Sequence, residues 1–185
     1  MGLKIDFFFI ISNNLHFKIE MVNKSAGVVM VRICNSLSTD GNCCKVPLFL
    51  CVEPGGPWKN MAWSIPKGGR EPQDSTLFET GTREFEEETG QIAPVNELLS
   101  VGSIRQRKGK TVHAWYFIDS DNKPIKFRSN TYRIEHPKGS GRFKTYKEAI
   151  THQFLTEDEA KIKLIDAQFE LILRIKRNLE IRNLL

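Results

Sequence analysis

SIPKGGREPQDSTLFETGTREFEEETGQI, residues 64–92, decides how the rest of the 185-residue chain is read. It runs from an apolar strand end through a glycine turn and a polar loop into one acidic helix over residues 76–89. Asp74 or Ser75 can cap the first turn of that helix, and Gly90 can take the left-handed conformation that ends it. At about 100° per residue, Glu87 falls about 60° to one side of Glu84 and Glu88 about 40° to the other, so three carboxylates share an arc of roughly 100°. Leu77, Phe78, Gly81 and Phe85 overlap one edge of that arc. The helix is therefore expected to be pinned to a core with its acids at the margin of a cleft, while Glu86 points away.

Like charges at these spacings oppose helix formation by roughly 0.2–0.5 kcal/mol a pair. Arg83, four residues after Glu79 and four before Glu87, offsets part of this, but one arginine does not neutralise five nearby glutamates. A divalent cation does, and ligands made only of oxygen select a hard ion, Mg²⁺ or alternatively Mn²⁺. An isolated glutamate-rich helix would be read as a solvated surface. Here Pro66-Lys67-Gly68-Gly69 precedes it: the glycines let the backbone approach a ligand and present a bare carbonyl, and Lys67 supplies a charge for phosphate.

Outward from this stretch, residues 25–33 and 46–52 read as β-branched buried strands joined by a polar loop over residues 35–45. Residues 53–57 form a Pro/Gly loop, and residues 62–65 a short strand that Pro66 ends. Residues 99–106 and 110–118 are two strands around the tight turn Arg107-Lys108-Gly109. Residues 119–141 read as a long loop, residues 142–149 as a basic and then acidic stretch, and residues 150–155 as a last strand. Thr156 and Glu159 form a capping box that opens a helical tail, in which Ile162, Ile165, Phe169, Ile172 and Ile175 recur at helical spacing. This order of elements argues an α/β (α+β) sandwich with a mixed sheet.

Residues 1–20 are expected to be an N-terminal extension and residues 21–185 a single domain. No apolar run approaches the roughly 18 residues that span a bilayer, so a membrane role is not expected. The formal charge is +5, which suits an anionic small molecule; with no aromatic–basic repeat it argues against nucleic acid as a partner. The four cysteines, at 34, 43, 44 and 51, lack zinc-site spacing and read as free thiols of a reducing, cytoplasmic setting. Oligomeric state is not legible.

The central stretch resembles the Nudix box: Gly, five residues, Glu, seven residues, then Arg-Glu-hydrophobic-x-Glu-Glu-x-Gly-hydrophobic. Gly69 takes the opening position, and Arg83, Glu84, Phe85, Glu87, Glu88 and Gly90 match the second half without a gap. Two positions depart from it. Ser75 stands where the family has its first Glu, with Asp74 one residue earlier, and Gln91 stands at the last hydrophobic position. Residues 63–68 resemble the strand entry of Nudix enzymes that cleave dinucleoside polyphosphates; residues 129–135 with 140–142 resemble an NTP-pyrophosphohydrolase branch. The resemblance covers about residues 24–175 and implies a Nudix α/β/α sandwich.

It also implies a Mg²⁺-dependent hydrolase of phosphoanhydrides in which Glu84, Glu87, Glu88 and the Gly69 carbonyl hold the metal. The catalytic set is then Glu84, Glu88 and a glutamate outside the box, for which Glu148 is the first choice and Glu135 the second. Lys67, Arg105 and Trp63 are expected to contact substrate. Arg107 is a weaker phosphate candidate, and Trp115 and His113 read as packed strand residues. The competing reading is a non-catalytic Nudix-fold module that binds a nucleotide or a protein, and Ser75 is the feature that favours it.

Overall fold

The computed structural model describes residues 24–37 and 43–185; the expected extension over residues 1–20 lies outside them. Strand β1, Lys24–Leu37, organises the sheet. Its side chains alternate between two cores, Val29 and Val31 facing one and Val28 and Met30 the other. Its first half runs parallel to β5, Thr111–Ile118, and is also antiparallel to β3, Lys67–Gly69. Its second half is antiparallel to β2, Cys43–Pro54. Strand β4, Leu99–Arg105, and strand β8, Ala149–Leu155, complete the order β4-β5-β1-β2-β8.

Two helical layers cover the sheet. Helix α1, Leu77–Thr89, buries Phe85 against Phe117, and Phe78 meets Trp115 edge-on. On the opposite face lie α2, Glu157–Lys163, and α3, Asp166–Ile181, whose Leu171, Ile172, Ile175 and Leu179 enter the larger core. The expected α/β/α sandwich with a mixed sheet is the fold.

Several elements differ from their sequence reading. In the polar stretch read as a loop over residues 35–45, residues 35–37 and 43–45 continue the β1–β2 ladder through Leu37↔Cys43, because backbone pairing needs no apolar side chains once a strand leaves the core. Residues 62–65 make only isolated bridges, Val52↔Ser64 and Trp63↔Leu164. The glycine turn contains β3, because Gly27 lets Pro66 and Lys67 approach; a Cβ there would strike the Pro66 carbonyl.

Thr76, not Asp74 or Ser75, caps α1 by accepting from the Glu79 N–H, and Gly90 ends it at φ 71° as expected. The long loop contains β6, Thr131–Glu135, hydrogen-bonded to β7, Phe143–Lys147, as a separate ribbon. The capping box of Thr156 and Glu159 is present, but the helical tail is two helices. Trp63 takes the Lys163 carbonyl and gives its own carbonyl to Ile165, which breaks the helix and leaves Ile162 84% exposed. Cys34, Cys43, Cys44 and Cys51 are all free thiols, Cys51 buried and the others exposed.

Candidate active site

The site forms where α1 crosses β1 and β3. Gly81 of the helix lies against the Gly27 backbone, so the helix sits close to the sheet. One turn on, Glu84 is only 7% exposed and lies over Gly68, where any Cβ would run into its carboxylate. One further turn on, Glu88 accepts from the Lys67 N–H at 3.0 Å. The glycines preceding the helix thus work as a bed for its acids, and the 3.6-residue period of α1 aligns Glu84 and Glu88 over it.

Arg83 occupies the other side of the helix. Its guanidinium donates to both oxygens of Asp74, at 3.1 and 3.0 Å, to Glu87 at 2.8 Å and to the Gly69 carbonyl at 3.0 Å, and it stands 3.0 Å from Glu84. Asp74 also accepts from the Glu71 N–H and the Thr80 hydroxyl. Burial opposes ionisation of Asp74, but these hydrogen bonds outweigh it and hold its carboxyl below the usual range. Ser75 takes part through its backbone: its carbonyl accepts from Arg70 and its N–H donates to Glu79. The gap in the box is therefore filled by the residue one position early.

Glu148 enters from the far end of the chain, between β7 and β8. Its N–H donates to the Asn130 carbonyl at 2.9 Å and its carbonyl accepts from the Gly55 N–H at 2.8 Å, which fixes the backbone. Its Oε2 is buried without a hydrogen-bond partner. Burial first, then the neighbouring acids, pushes Glu84 up to about 7 and Glu88 up to about 8, and raises Glu148 as well.

A cavity of about 500 Å³ is lined by Glu84, Glu88 and Glu148 together with Lys67, Gly69 and Lys110. It adjoins an apolar pocket of about 230 Å³ walled by Val52, Pro54, Met61 and Ile165, and an outer cavity of about 760 Å³ reached by Arg105 and Arg107. Trp58 lines all three.

Of the expected site residues, Lys67, Gly69, Glu84, Glu88 and Glu148 share the central cavity, and Arg105 lies on the outer one. Glu87 is turned to Arg83 and to a separate pocket with Arg128 and Asn130. Trp63 packs beside the larger core with the Lys163 ammonium 4.9 Å from its ring; the tryptophan at the cleft is Trp58. Glu135 accepts from the Gly141 N–H, away from the cavity.

Three cleft residues escaped the sequence reading: Trp58, Lys110 and Tyr132. Lys110 is brought in by the parallel pairing of β5 with β1, which no local signal announces. Burial first, and then Lys67, lowers its ammonium pKa. Tyr132 reaches the site through β6, donating to the Gly55 carbonyl at 3.3 Å, and its ring lies 5.6 Å from that of Trp58.

A family model of the NUDIX domain matches residues 28–140. The chain belongs to the NUDIX domain family. Solved structures of similar fold include an Ap4A hydrolase of C. elegans in a binary complex, 17% identical with a TM-score of 0.58 over 86% of this chain and 98% of that one. Another is the NUDIX domain of Shewanella oneidensis NrtR complexed with ADP ribose, 12% identical with a TM-score of 0.57 over 84% and 87% of the two chains. A MutT protein from Methanosarcina mazei Go1 is 16% identical with a TM-score of 0.51 over 84% and 93%. At these identities the likeness is one of fold. No curated protein sequence matches the chain.

In this Nudix hydrolase the box residues of α1 serve two different ends. Arg83 with Asp74 ties the loop to the helix, and Glu84 with Glu88 faces the cavity. Among the described residues no three His, Cys, Asp or Glu side chains are gathered closely enough to form a metal site on their own; Arg83 is the cation that bonds Glu84 and Glu87. The donor set nevertheless fits a hard divalent ion. It is all oxygen, it includes the orphaned buried oxygen of Glu148, and burial, with the neighbouring acids second, pushes Glu84 and Glu88 up. Among the described residues no helix is long and apolar enough to cross a membrane.

Proposed function

We propose that this Nudix protein is a divalent-metal-dependent hydrolase that cleaves a phosphoanhydride in a nucleoside diphosphate linked to another group, of the NTP or dinucleoside polyphosphate type. One observation carries the reading: Glu84, Glu88 and Glu148, from two distant parts of the chain, converge on one cavity floored by Lys67 and Lys110. The nucleotides named with two structures of similar fold, Ap4A and ADP ribose, are of that chemical class.

Glu84, Glu88 and the Gly69 carbonyl are the groups that would hold Mg²⁺ or Mn²⁺, with Glu87 joining once it leaves Arg83. The chemistry such an ion supplies is neutralisation of the diphosphate oxygens and acidification of water. The chain's own residues do the rest. Lys67 and Lys110 bind phosphate oxygens as point charges. Trp58 and Tyr132 offer ring faces to a nucleobase at the mouth of the apolar pocket. Glu148, held by Asn130 and Gly55, takes the proton of the attacking water as a bond forms to phosphorus; the anhydride bond breaks and the leaving phosphate oxygen keeps its electron pair.

The proposal keeps a single domain from residue 21 onward and a cytoplasmic setting, which the free thiols support. The non-catalytic module rested on Ser75, and the Asp74–Arg83 bond weakens that case. The test is a product-resolved assay over nucleoside triphosphates, dinucleoside polyphosphates, nucleotide sugars and capped RNA, with and without EDTA. Release of phosphate or nucleoside monophosphate that EDTA abolishes supports hydrolysis. Binding without turnover across the whole panel supports the module.

A further inference from the structure

Glu148 lines both the central cavity and the apolar pocket beside it, and it sits at the bend between β7 and β8. Its Oε2 is buried and makes no hydrogen bond. A carboxylate with an unpartnered oxygen takes its position from its own main chain. What holds that main chain therefore decides where the acid stands.

The hold comes from earlier in the chain, within the stretch that reads as a long loop. Arg128, Ser129 and Asn130 run as a strap across the end of α1. The Asn130 N–H donates to the Glu87 carbonyl at 3.0 Å, and the Arg128 N–H donates to the Thr89 carbonyl at 3.2 Å. Both carbonyls belong to the last turn of α1 and have no donor to accept from within the helix, so the strap takes up bonds that the helix leaves open. Gly90 lets it lie close, because a Cβ there would strike the Arg128 side chain.

The other edge of the strap meets Glu148. The Glu148 N–H donates to the Asn130 carbonyl at 2.9 Å, and the Ala149 N–H donates to the Ser129 hydroxyl oxygen at 2.8 Å. The same hydroxyl donates to the Asn130 carbonyl at 3.2 Å. Both amides that flank the Glu148 Cα thus end on the strap, in a ring closed by one side chain. A hydroxyl accepts and donates at once, and alanine does neither. Ala149 is 1% exposed, so solvent has little access to its N–H once that acceptor is gone. Gly55 adds a third bond, its N–H donating to the Glu148 carbonyl at 2.8 Å.

We infer that Ser129 is a positioning residue for Glu148: its hydroxyl locks the Glu148 backbone to a strap hung from the same turn of α1 that carries Glu87 and Glu88, and so sets the acid outside the box against the acids within it. A serine that joins two loop backbones is ordinarily a fastening and nothing more. Here it links the two distant parts of the chain that converge on the cavity. Ser129 lies outside the lining of both cavities that Glu148 enters, so it acts through Glu148 and not on substrate. Its effect on turnover rests on the hydrolase reading above; the anchoring itself does not.

Amide hydrogen exchange of the full chain without metal tests the anchor. Ser129→Ala is expected to speed exchange of the Ala149 amide about tenfold while the amides of β1 stay unchanged, and Ser129→Thr, which keeps the hydroxyl, is expected to restore protection. Steady-state turnover, with Mg²⁺, of whichever of ATP and Ap4A is cleaved faster tests the consequence. Ser129→Ala is expected to lower kcat about tenfold with KM changed less than about twofold, and Ser129→Thr to recover it. In a Glu148→Gln background the same Ser129→Ala change is expected to lower kcat less than about twofold, because the carboxylate it positions is gone.

An Ala149 amide that exchanges no faster in Ser129→Ala overturns the inference. So does an equal loss of kcat in both backgrounds, which marks a general loosening of the fold. Faster Ala149 exchange together with native turnover in Glu148→Gln overturns the choice of Glu148 as base and supports the anchor alone.

Discussion

Helix α1 carries two charge clusters less than two turns apart, and they are in opposite states. Around Arg83 everything is satisfied: Asp74 receives four hydrogen bonds, from Arg83 twice, from the Glu71 N–H and from the Thr80 hydroxyl. Around Glu88 little is. Glu88 has the Lys67 N–H, Glu148 has a buried oxygen with no partner, and burial pushes Glu84 and Glu88 up to about 7 and about 8. A closed ionic network in a partly buried setting holds structure together, and one with an unpartnered buried oxygen keeps acceptor capacity that a ligand can fill.

The sharpest way to break this contrast is to neutralise one acid from each cluster. Glu88→Gln is expected to lower turnover of the best substrate about 10³-fold, close to 4 kcal/mol of transition-state stabilisation, while the apo protein melts no lower. Native turnover in that variant would mean the open cluster is not the reaction site. Asp74→Ala should do the reverse, destabilising the fold by about 2–3 kcal/mol in a urea titration because Arg83 loses its main partner. If it melted like the native protein while losing activity, the two clusters would not be separable.

A pH titration sharpens the same division. The folded pKa values of Glu84 and Glu88 lie above the usual 4.5, so the folded state holds protons that the unfolded chain has released. Metal-free stability should therefore fall as pH rises from about 4.5 toward 8. Asp74 acts with the opposite sign: its folded pKa lies below the usual 3.8, so its contribution is present above that value and is lost on acidification through the folded pKa. Thermal melts without metal should peak near pH 4–5, and added Mg²⁺ should raise the melting temperature more at pH 8 than at pH 6 because it needs ionised carboxylates. A melting temperature that climbs from pH 5 to 8 without metal would contradict the open cluster. The smallest effect is expected from Ser75→Glu. It restores the box motif, but with Arg83 already held by Asp74 the change should stay within about 0.5 kcal/mol, read as a shift of the melting curve.

The acidic helix, its Gly90 stop and the capping box at Thr156 were all legible in the sequence because each depends on neighbours within one or two turns. So were Glu84 and Glu88, since helical periodicity alone puts them on one face. Glu148 was reached only through the resemblance to a family, and its burial beside α1 depends on Gly55 and Asn130, both remote in sequence. The β6–β7 ribbon was missed although Thr131-Tyr132-Arg133-Ile134-Glu135 alternates polar and apolar, because that run is five residues long and lies in a polar stretch with Pro137, Gly139 and Gly141. The helical tail was read as continuous because its break depends on Trp63, about a hundred residues away in the chain.

By itself, then, the sequence determined the local chemistry of residues 64–92: a helix with aligned carboxylates, a glycine approach and a lysine. Only the tertiary structure decided what each acid faces. The Gly27–Gly81 contact sets the depth of α1 on the sheet, and the parallel pairing of β5 with β1 delivers Lys110. Asp74 is the clearest case. One residue out of place in the motif, it reaches Arg83 because a loop can shift its backbone by one position where a helix, with its fixed period, cannot.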